Sequence, residues 1–301
     1  MEEQGNIVFL KKPKLRHPHM VCGISGWVDG GEASTGSVRY LVRKLKAKRF
    51  AEIPIGKFQI FQIPGQTSLR PQVRIEDGIL KEHHLPQNQF SYCVNPNTDN
   101  DLIFFLGTEP NLNWQEYVDS ILSIAKEFNV ARIYLLGGVL DKTPHTREPS
   151  VSCTCSSEKL KEEMRKYGVR FGSYEGPGTF GTTVLHICQK RKVPVVSIMA
   201  RATYYPEFNI AIPRNPRSIS AIVSRLNSIL SLGMDVSDLD REAAEIEAKL
   251  GTMASHDPKF QAYIDDLEKD FIEIKYQEPL DLSADEAIRL AEELLKKRQE
   301  G

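Results

Sequence analysis

The stretch HMVCGISGWVDGGEASTGSVRYLVRKL, residues 19–45, decides the fold class. Its first seven residues form a short apolar run, which predicts a buried β-strand. A glycine-rich turn follows, for which Ser34 or Thr35 is the expected N-cap of a helix. The next apolar residues recur with the spacing of one helix face: Val38, Leu41, Val42 and Leu45. A strand followed by a tight turn and a helix is the repeating unit of an α/β protein.

The same alternation of apolar runs and amphipathic helices continues to about residue 230. Further buried strands are predicted near residues 102–106, 133–136, 151–154 and 193–199. Such strands, separated by helices, predict a mostly parallel sheet flanked by helices on both faces. Ligands of such sheets lie beyond the carboxyl ends of the strands, where we place Gly26, Gly137 and Ala200. Residues 50–94 are rich in β signals and predict a β-hairpin insertion, with predicted strands at 58–63, 73–75 and 79–83.

Charge divides the chain into two parts, although the total is only -1. Residues 1–233 carry 30 basic and 21 acidic side chains, a balance of +9, whereas residues 234–301 carry 9 and 19, a balance of -10. Beyond residue 233 the apolar positions follow helical stripes, at 239–250, 260–274 and 287–295. We therefore predict an α/β core over 1–233 and an acidic C-terminal helical arm over 234–301. The acidic helices are expected to cover their own core or a sister subunit.

Composition excludes several classes of protein. With 301 residues, 41% of them hydrophobic and 26% charged, the chain has the composition of a globular protein. No apolar run approaches the roughly 20 residues that span a bilayer, and no secretory signal is evident, so a cytoplasmic protein with no membrane contact is expected. Five cysteines, an odd number, favour reduced thiols. The basic residues are scattered, so no nucleic-acid partner is expected.

Several familiar motifs are incomplete. Residues 176–181, GPGTFG, fit the glycine spacing of a dinucleotide site, but Pro177 fills the turn and Arg201 lies near the position of the acidic ribose ligand. Two interpretations of this segment remain. Backbone N–H groups near Gly176 could bind an anion, or the glycines could serve only to allow tight packing of the strand and the helix. Cys153 and Cys155 lack the partners of a zinc set. We expect neither a cofactor nor a metal.

Three loops after predicted strands are rich in reactive side chains: residues 26–32, 144–147 and 174–179. If they converge at one sheet edge, they would surround a cavity fit for acid/base chemistry or anion binding. The candidate catalytic residues are Asp29, His145 and Glu175. The candidate ligand-binding residues are Glu32, Arg147, Gly176, Thr179 and Arg201. The alternative is that these side chains form ion pairs and caps that order long loops.

An ordered set of motifs resembles the proteasome assembly chaperone 2 family, in its prokaryotic branch. They are GWVDGGEAS (26–34), GGVLDKTPHTREPSV (137–151), YEGPGTFGTTVLHICQKRKVPVVSIMARATYY (174–205) and YIDDLEKDF (263–271). The resemblance implies an α/β core like that of nucleoside phosphorylases and peptidyl hydrolases, a C-terminal helical subdomain and homo-oligomers. It also places Asp29 at the family's first-loop acidic position, and the pair Tyr204 and Tyr205 at the end of the last core strand. Some archaeal relatives end in a hydrophobic-Tyr-X tail that docks on the proteasome, whereas this chain ends KRQEG.

Two hypotheses of function follow. The first is a cytoplasmic, non-enzymatic, homo-oligomeric binding or assembly protein with a protein partner, because no catalytic or cofactor motif is complete. The second is an enzyme acting on a small anionic substrate, with hydrolase or phosphorylase chemistry. In that case Arg147 and the amides near Gly176 would hold the anion, and His145, Asp29 or Glu175 would move the proton. Family members have also been labelled ATP-grasp or carboxylate-amine ligases, a label that no phosphate-cradling loop in this sequence supports.

Overall fold

A computed structural model of the chain describes residues 2–62 and 70–272. The strands in this part of the chain are β1 (Glu2–Gln4), β2 (Ile7–Phe9), β3 (His19–Ser25), β4 (Lys48–Glu52), β5 (Gln72–Glu76), β6 (Ile79–His84), β7 (Gln89–Cys93), β8 (Leu102–Thr108), β9 (Arg132–Asp141), β10 (Val151–Cys155), β11 (Val195–Tyr205) and β12 (Ile210–Ala211). The helices are α1 (Ala33–Lys44), α2 (Trp114–Glu127), α3 (Glu158–Met164), α4 (Phe180–Lys190), α5 (Pro216–Ile229), α6 (Ser237–His256) and α7 (Pro258–Asp270).

One large mixed sheet runs through the molecule in the order β1-β2-β4-β7-β8-β3-β9-β11-β10. Its centre is parallel, since β3 pairs in parallel with β8 and β9, and β9 with β11. The outer strands β10 and β7 pair antiparallel to β11 and β8. The predicted α/β fold, a mostly parallel sheet flanked by helices, is confirmed, and the structure adds antiparallel strands at both edges.

Helices cover both faces of the sheet because successive residues of each strand point to opposite sides. Met20 of β3 packs into one core cluster with residues of α2 and α4. Val21, the next residue, packs into a second cluster with α1 and α5. Gly23 lets α1 approach β3, since a Cβ there would lie 2.7 Å from the backbone oxygen of Ser34. Each fully buried aliphatic side chain contributes about 1.5–3 kcal/mol to folding.

The C-terminal helices pack on the end of β11 and on α5. A third core cluster joins them to the sheet, made of Tyr205, Ile212, Leu250, Ala254, Phe260 and Ile264. Leu239, in the first turn of α6, is buried in the same cluster as α5. The division into a 1–233 core and a 234–301 arm stays a prediction, and the helix predicted at 287–295 lies outside the described residues.

Several predicted bounds were wrong. β9 does not end before Gly137 but continues to Asp141, and β11 passes Ala200 to end at Tyr205. Glycine and alanine leave room here for the loop after β3, whose Asp29 forms a parallel bridge with Gly138. The predicted strand at 58–63 is turn or irregular backbone as far as residue 62, and its last residue lies outside the described part. β5 and β6 form the hairpin expected from the turn at 76–78.

Candidate functional site

Asp29 caps α1 from the loop after β3. Its Oδ1 accepts hydrogen bonds from the backbone N–H groups of Ser34 (2.9 Å) and Thr35 (3.0 Å), and its Oδ2 accepts one from the Thr35 hydroxyl (2.6 Å). Burial raises the pKa of Asp29 above its ordinary value, although these hydrogen bonds oppose the rise. The expected caps Ser34 and Thr35 lie inside the helix, which begins at Ala33. Asp29 reaches them because the turn of 30–32 brings the chain back under its carboxylate.

His145 is buried against the end of β11. The hydroxyl of Tyr205 accepts a hydrogen bond from the His145 backbone N–H at 2.8 Å and lies 2.8 Å from its Nδ1. The phenol can then donate to Nδ1 only if this nitrogen carries no proton. Burial lowers the pKa of His145, which favours the neutral ring.

The predicted ligand-binding side chains Glu32, Arg147 and Arg201 are paired with oppositely charged side chains of the same chain. Arg39 binds Glu32 at 3.0 Å, Glu268 binds Arg147 at 3.1 Å, and Asp141 lies 3.7 Å from Arg201. Thr146 also donates its hydroxyl proton to Glu268. These contacts fit the alternative in which the charged residues order the loops.

The third loop, 174–179, forms its hydrogen bonds locally. The Tyr174 hydroxyl donates to the carbonyl of Pro177 at 3.1 Å. Thr179 caps α4 through a reciprocal pair of hydrogen bonds with Thr182. Glu175 and Gly176 are exposed.

The loops 26–32 and 144–147 meet at the start of α5 and leave little space between each other. The backbone N–H of Asn215, the N-cap of α5, donates to the carbonyl of Gly31 at 2.8 Å. Asn215 and His145 line the same cavity, which measures only about 10 Å³. That volume is roughly what one water molecule needs. The catalytic and ligand-binding roles of these loops therefore stay predictions, because the cavity beside His145 is too small for a ligand.

A larger cavity, of about 270 Å³, lies at the carboxyl ends of β3 and β8. It is lined by Ser25, Thr35, Arg39, Arg70, His84 and Thr108, together with neighbouring residues. One feature of the sequence could have indicated this cavity, namely the position of Ser25 at the carboxyl end of a predicted parallel strand. The basic residues from the hairpin could not be placed there from the sequence, because nothing in the pattern shows how the hairpin folds back.

Acidic side chains of the C-terminal helices pair with basic ones of residues 1–233. These ion pairs include Lys44–Asp238, Arg147–Glu268, Arg214–Glu242 and Arg217–Glu247. They lie on α6 and α7, the described part of the acidic segment. The opposite charges of the two segments thus meet within one chain.

The part of the chain that the structure describes contains no group of three or more His, Cys, Asp or Glu arranged to hold a metal ion. None of the helices in that part combines the length and the apolar character needed to cross a membrane.

Comparison with known proteins decides the family. The sequence model of the PAC2 family matches residues 23–254. The chain belongs to the PAC2 family. This confirms the family that the motifs predicted, and the match begins inside β3 and ends inside α6. In this PAC2 chain the GWVDGGEAS motif forms the turn that caps α1, and Tyr205 of the third motif holds His145 of the second.

Solved structures with the same fold include several PAC2 relatives. A proteasome-assembly chaperone homologue of Mycobacterium tuberculosis is 27% identical, with a TM-score of 0.71, and the match covers 82% of this chain and 99% of that one. A PAC2 family protein of Streptomyces avermitilis is 28% identical, with a TM-score of 0.69 and the same coverage, 82% and 99%.

PbaB of Pyrococcus furiosus, described as an archaeal proteasome activator, shares the fold at 23% identity and a TM-score of 0.62, over 82% of this chain and 97% of that one. A search of curated protein sequences found no significant match.

Proposed function

We propose that this PAC2-family protein is a non-enzymatic, homo-oligomeric binding or assembly protein, and that the β5–β6 hairpin is the surface through which its copies associate. The observation that carries this proposal is the apolar side of that hairpin. Val73, Ile75 and Leu80 are 55%, 62% and 57% exposed. A two-stranded hairpin on its own is marginally stable in water. Burial of these side chains against another surface would stabilise it.

The two sides of the hairpin differ in chemistry. Val73 lies opposite His83 and Ile75 opposite Leu80, which places three of the four exposed large apolar side chains on one side; the fourth, Ile79, lies opposite Glu76 on the other. On the other side Arg74 pairs with Glu82 and with Glu76. The charged groups of that side are thus paired within the hairpin. The side with Val73, Ile75 and Leu80 is left for a partner.

A second copy of this chain is the occupant that the charges favour. The whole chain has a formal net charge of only -1, so two copies repel each other weakly. Residues 72–84 contain two basic and three acidic side chains, so two hairpins can also meet without strong repulsion.

The buried hydrogen bonds of the candidate catalytic residues support a non-enzymatic role. The carboxylate of Asp29 is engaged by two amides and a hydroxyl, and the His145 ring is held by Tyr205. The enzymatic hypothesis for a small anionic substrate stays a prediction that would need both side chains to leave these partners.

The mass of the protein in solution tests the oligomeric part of the proposal. Sedimentation equilibrium of the full chain should give a multiple of the mass of one chain. The double substitution Ile75→Glu with Leu80→Glu should reduce it to the mass of one chain, because two charges would be buried at the interface. Val94→Glu is the matched control, since Val94 is 59% exposed but lies outside the hairpin. A wild-type monomer, or an oligomer unchanged by the double substitution, would overturn the proposal.

A role in assembly also requires a protein partner, as the Mycobacterium tuberculosis homologue and the Pyrococcus furiosus activator suggest for this family. Purification of the protein at native abundance should recover one partner at a fixed stoichiometry. Repeated recovery of the homo-oligomer alone would contradict the assembly role and leave the oligomer itself unaffected.

A further inference from the structure

The strands β3 and β8 form a topological switch point in the sheet. They are parallel neighbours, with Ser25 at the carboxyl end of β3 beside Thr108 at that of β8. β3 leads into α1, which packs on one face of the sheet, and β8 leads into α2, which packs on the other. Where two such connections part, a crevice opens beyond the strand ends, and ligands of open α/β sheets bind in such crevices.

In this protein the crevice is the cavity of about 270 Å³ described above. Its floor is formed by the strand ends Ser25 and Leu106–Thr108, and one wall by Thr35 and Arg39 of α1. Arg70, Gln72 and His84, at the base of the hairpin, form the other wall. Three separate parts of the chain thus bring hydroxyl and basic side chains to one opening.

Most of these groups have hydrogen-bonding capacity to spare. Within the described residues, the hydroxyls of Ser25 and Thr108 have no hydrogen-bond partner and Arg70 forms no ion pair. Arg39 uses Nη1 for Glu32, which leaves further N–H donors of its guanidinium. Nε2 of His84 lies 2.8 Å from Oε2 of Glu82, which leaves Nδ1 of the ring for a further hydrogen bond.

The first turn of α1 contributes little to the binding of an anion. Asp29 already accepts the N–H groups of Ser34 and Thr35, and it also receives the Thr35 hydroxyl proton. Recognition therefore depends on side chains, chiefly the guanidinium groups of Arg39 and Arg70. Guanidinium groups bind phosphate and carboxylate through paired, charge-assisted hydrogen bonds.

We propose that this cavity binds a small oxyanion, the phosphate or carboxylate group of a molecule of about sugar size. Arg39 and Arg70 bind the charged group, and the hydroxyls of Ser25 and Thr108 donate to it from the strand ends. The volume lies just below the roughly 300–1,000 Å³ of pockets for drug-sized ligands, so a dinucleotide is too large. The proposal does not require a second copy, because the lining residues named here all belong to one chain, with Gln72 and His84 at the base of the hairpin that we assign to association.

Isothermal titration calorimetry of the full chain tests the proposal, with ribose 5-phosphate and inorganic phosphate as phosphate probes and citrate as the carboxylate probe. We expect saturable binding of at least one probe at one site per chain. Arg39→Ala and Arg70→Ala should each weaken it about tenfold, as expected for the loss of a charge-assisted hydrogen bond.

Arg74→Ala is the matched control, because Arg74 lies on the same hairpin but outside the cavity. It should leave the affinity within about twofold, and circular dichroism should show that every variant is folded. Absence of saturable binding for all three probes would overturn the proposal. So would a loss on Arg74→Ala as large as that on Arg70→Ala, since that would indicate attraction to the general charge of the hairpin.

Discussion

Arg147, in the loop after β9, binds Glu268 of α7 with 3.1 Å between Nη2 and Oε2. Glu268 also accepts a hydrogen bond from Thr146. One acidic residue of the C-terminal helices therefore holds the loop that carries His145. The contact joins two of the motifs that characterise the chain, PHTR and YIDDLEKDF, which lie more than a hundred residues apart in sequence.

Glu268→Ala should loosen α7 without unfolding the sheet. Because both partners are partly exposed, we expect a loss of about 0.2–1 kcal/mol in the free energy of unfolding. Faster hydrogen exchange of the α7 amides would check the expectation. The control is Asp266→Ala on the same helix, because Asp266 forms its ion pair with Lys269 of α7 itself. Equal exchange rates in the two variants would show that the link to Arg147 does not hold the helix.

Asp29→Ala should destabilise the protein by about 1–2 kcal/mol, the usual cost of losing a capping side chain. Asp29→Asn should recover part of that loss, because its carbonyl oxygen can still accept from Ser34 and Thr35. Urea unfolding monitored by circular dichroism measures both variants. If Asp29→Ala were as stable as the wild type, the capping role would be wrong.

Mild acid should destabilise the fold through His19. Burial lowers the pKa of His19 to about 4, and the nearby Arg132 adds to this effect. Between about pH 6.5 and pH 4, His19 therefore binds a proton in the unfolded chain but not in the folded chain. The free energy of unfolding falls as the pH falls. The effect is on the order of 2 kcal/mol, allowing for partial exposure of the ring.

Urea unfolding across that pH range measures the slope of the free energy of unfolding against pH. His19→Phe should reduce the slope, because a phenyl ring does not titrate. The phenyl ring also keeps the edge contact that the imidazole makes with Tyr134. The slope should not vanish, because burial lowers the pKa of His145 as well. His83→Gln is the control, since His83 is exposed on the hairpin. A slope unchanged by His19→Phe would contradict this account.

The sequence was sufficient for the fold because strand and helix periods are strong local signals. Residues 19–45 predicted β3 and α1, and the apolar runs predicted the parallel strands at the centre of the sheet. The short strands β1 and β2 were missed, since three residues are too few to show a period. β9 was predicted too short because Gly137 and Gly138 are turn residues by local rules, although here they provide space for the loop at Asp29.

The site was harder to predict because it depends on contacts between distant segments. The sequence identified Asp29, His145 and Arg147 as unusual, but their partners Thr35, Tyr205 and Glu268 became evident only in three dimensions. The cavity beside Ser25 depends on how the hairpin folds back over the end of β8. No local pattern encodes that placement.

Hydrogen–deuterium exchange of the hairpin amides, residues 72–84, tests the central claim most directly. A lone two-stranded hairpin exchanges quickly, whereas a hairpin buried against a second copy is protected. We predict slow exchange of these amides at protein concentrations where the oligomer forms, and fast exchange after dilution to the monomer. Fast exchange in the oligomer itself would contradict the claim that copies of this PAC2 protein associate through the β5–β6 hairpin.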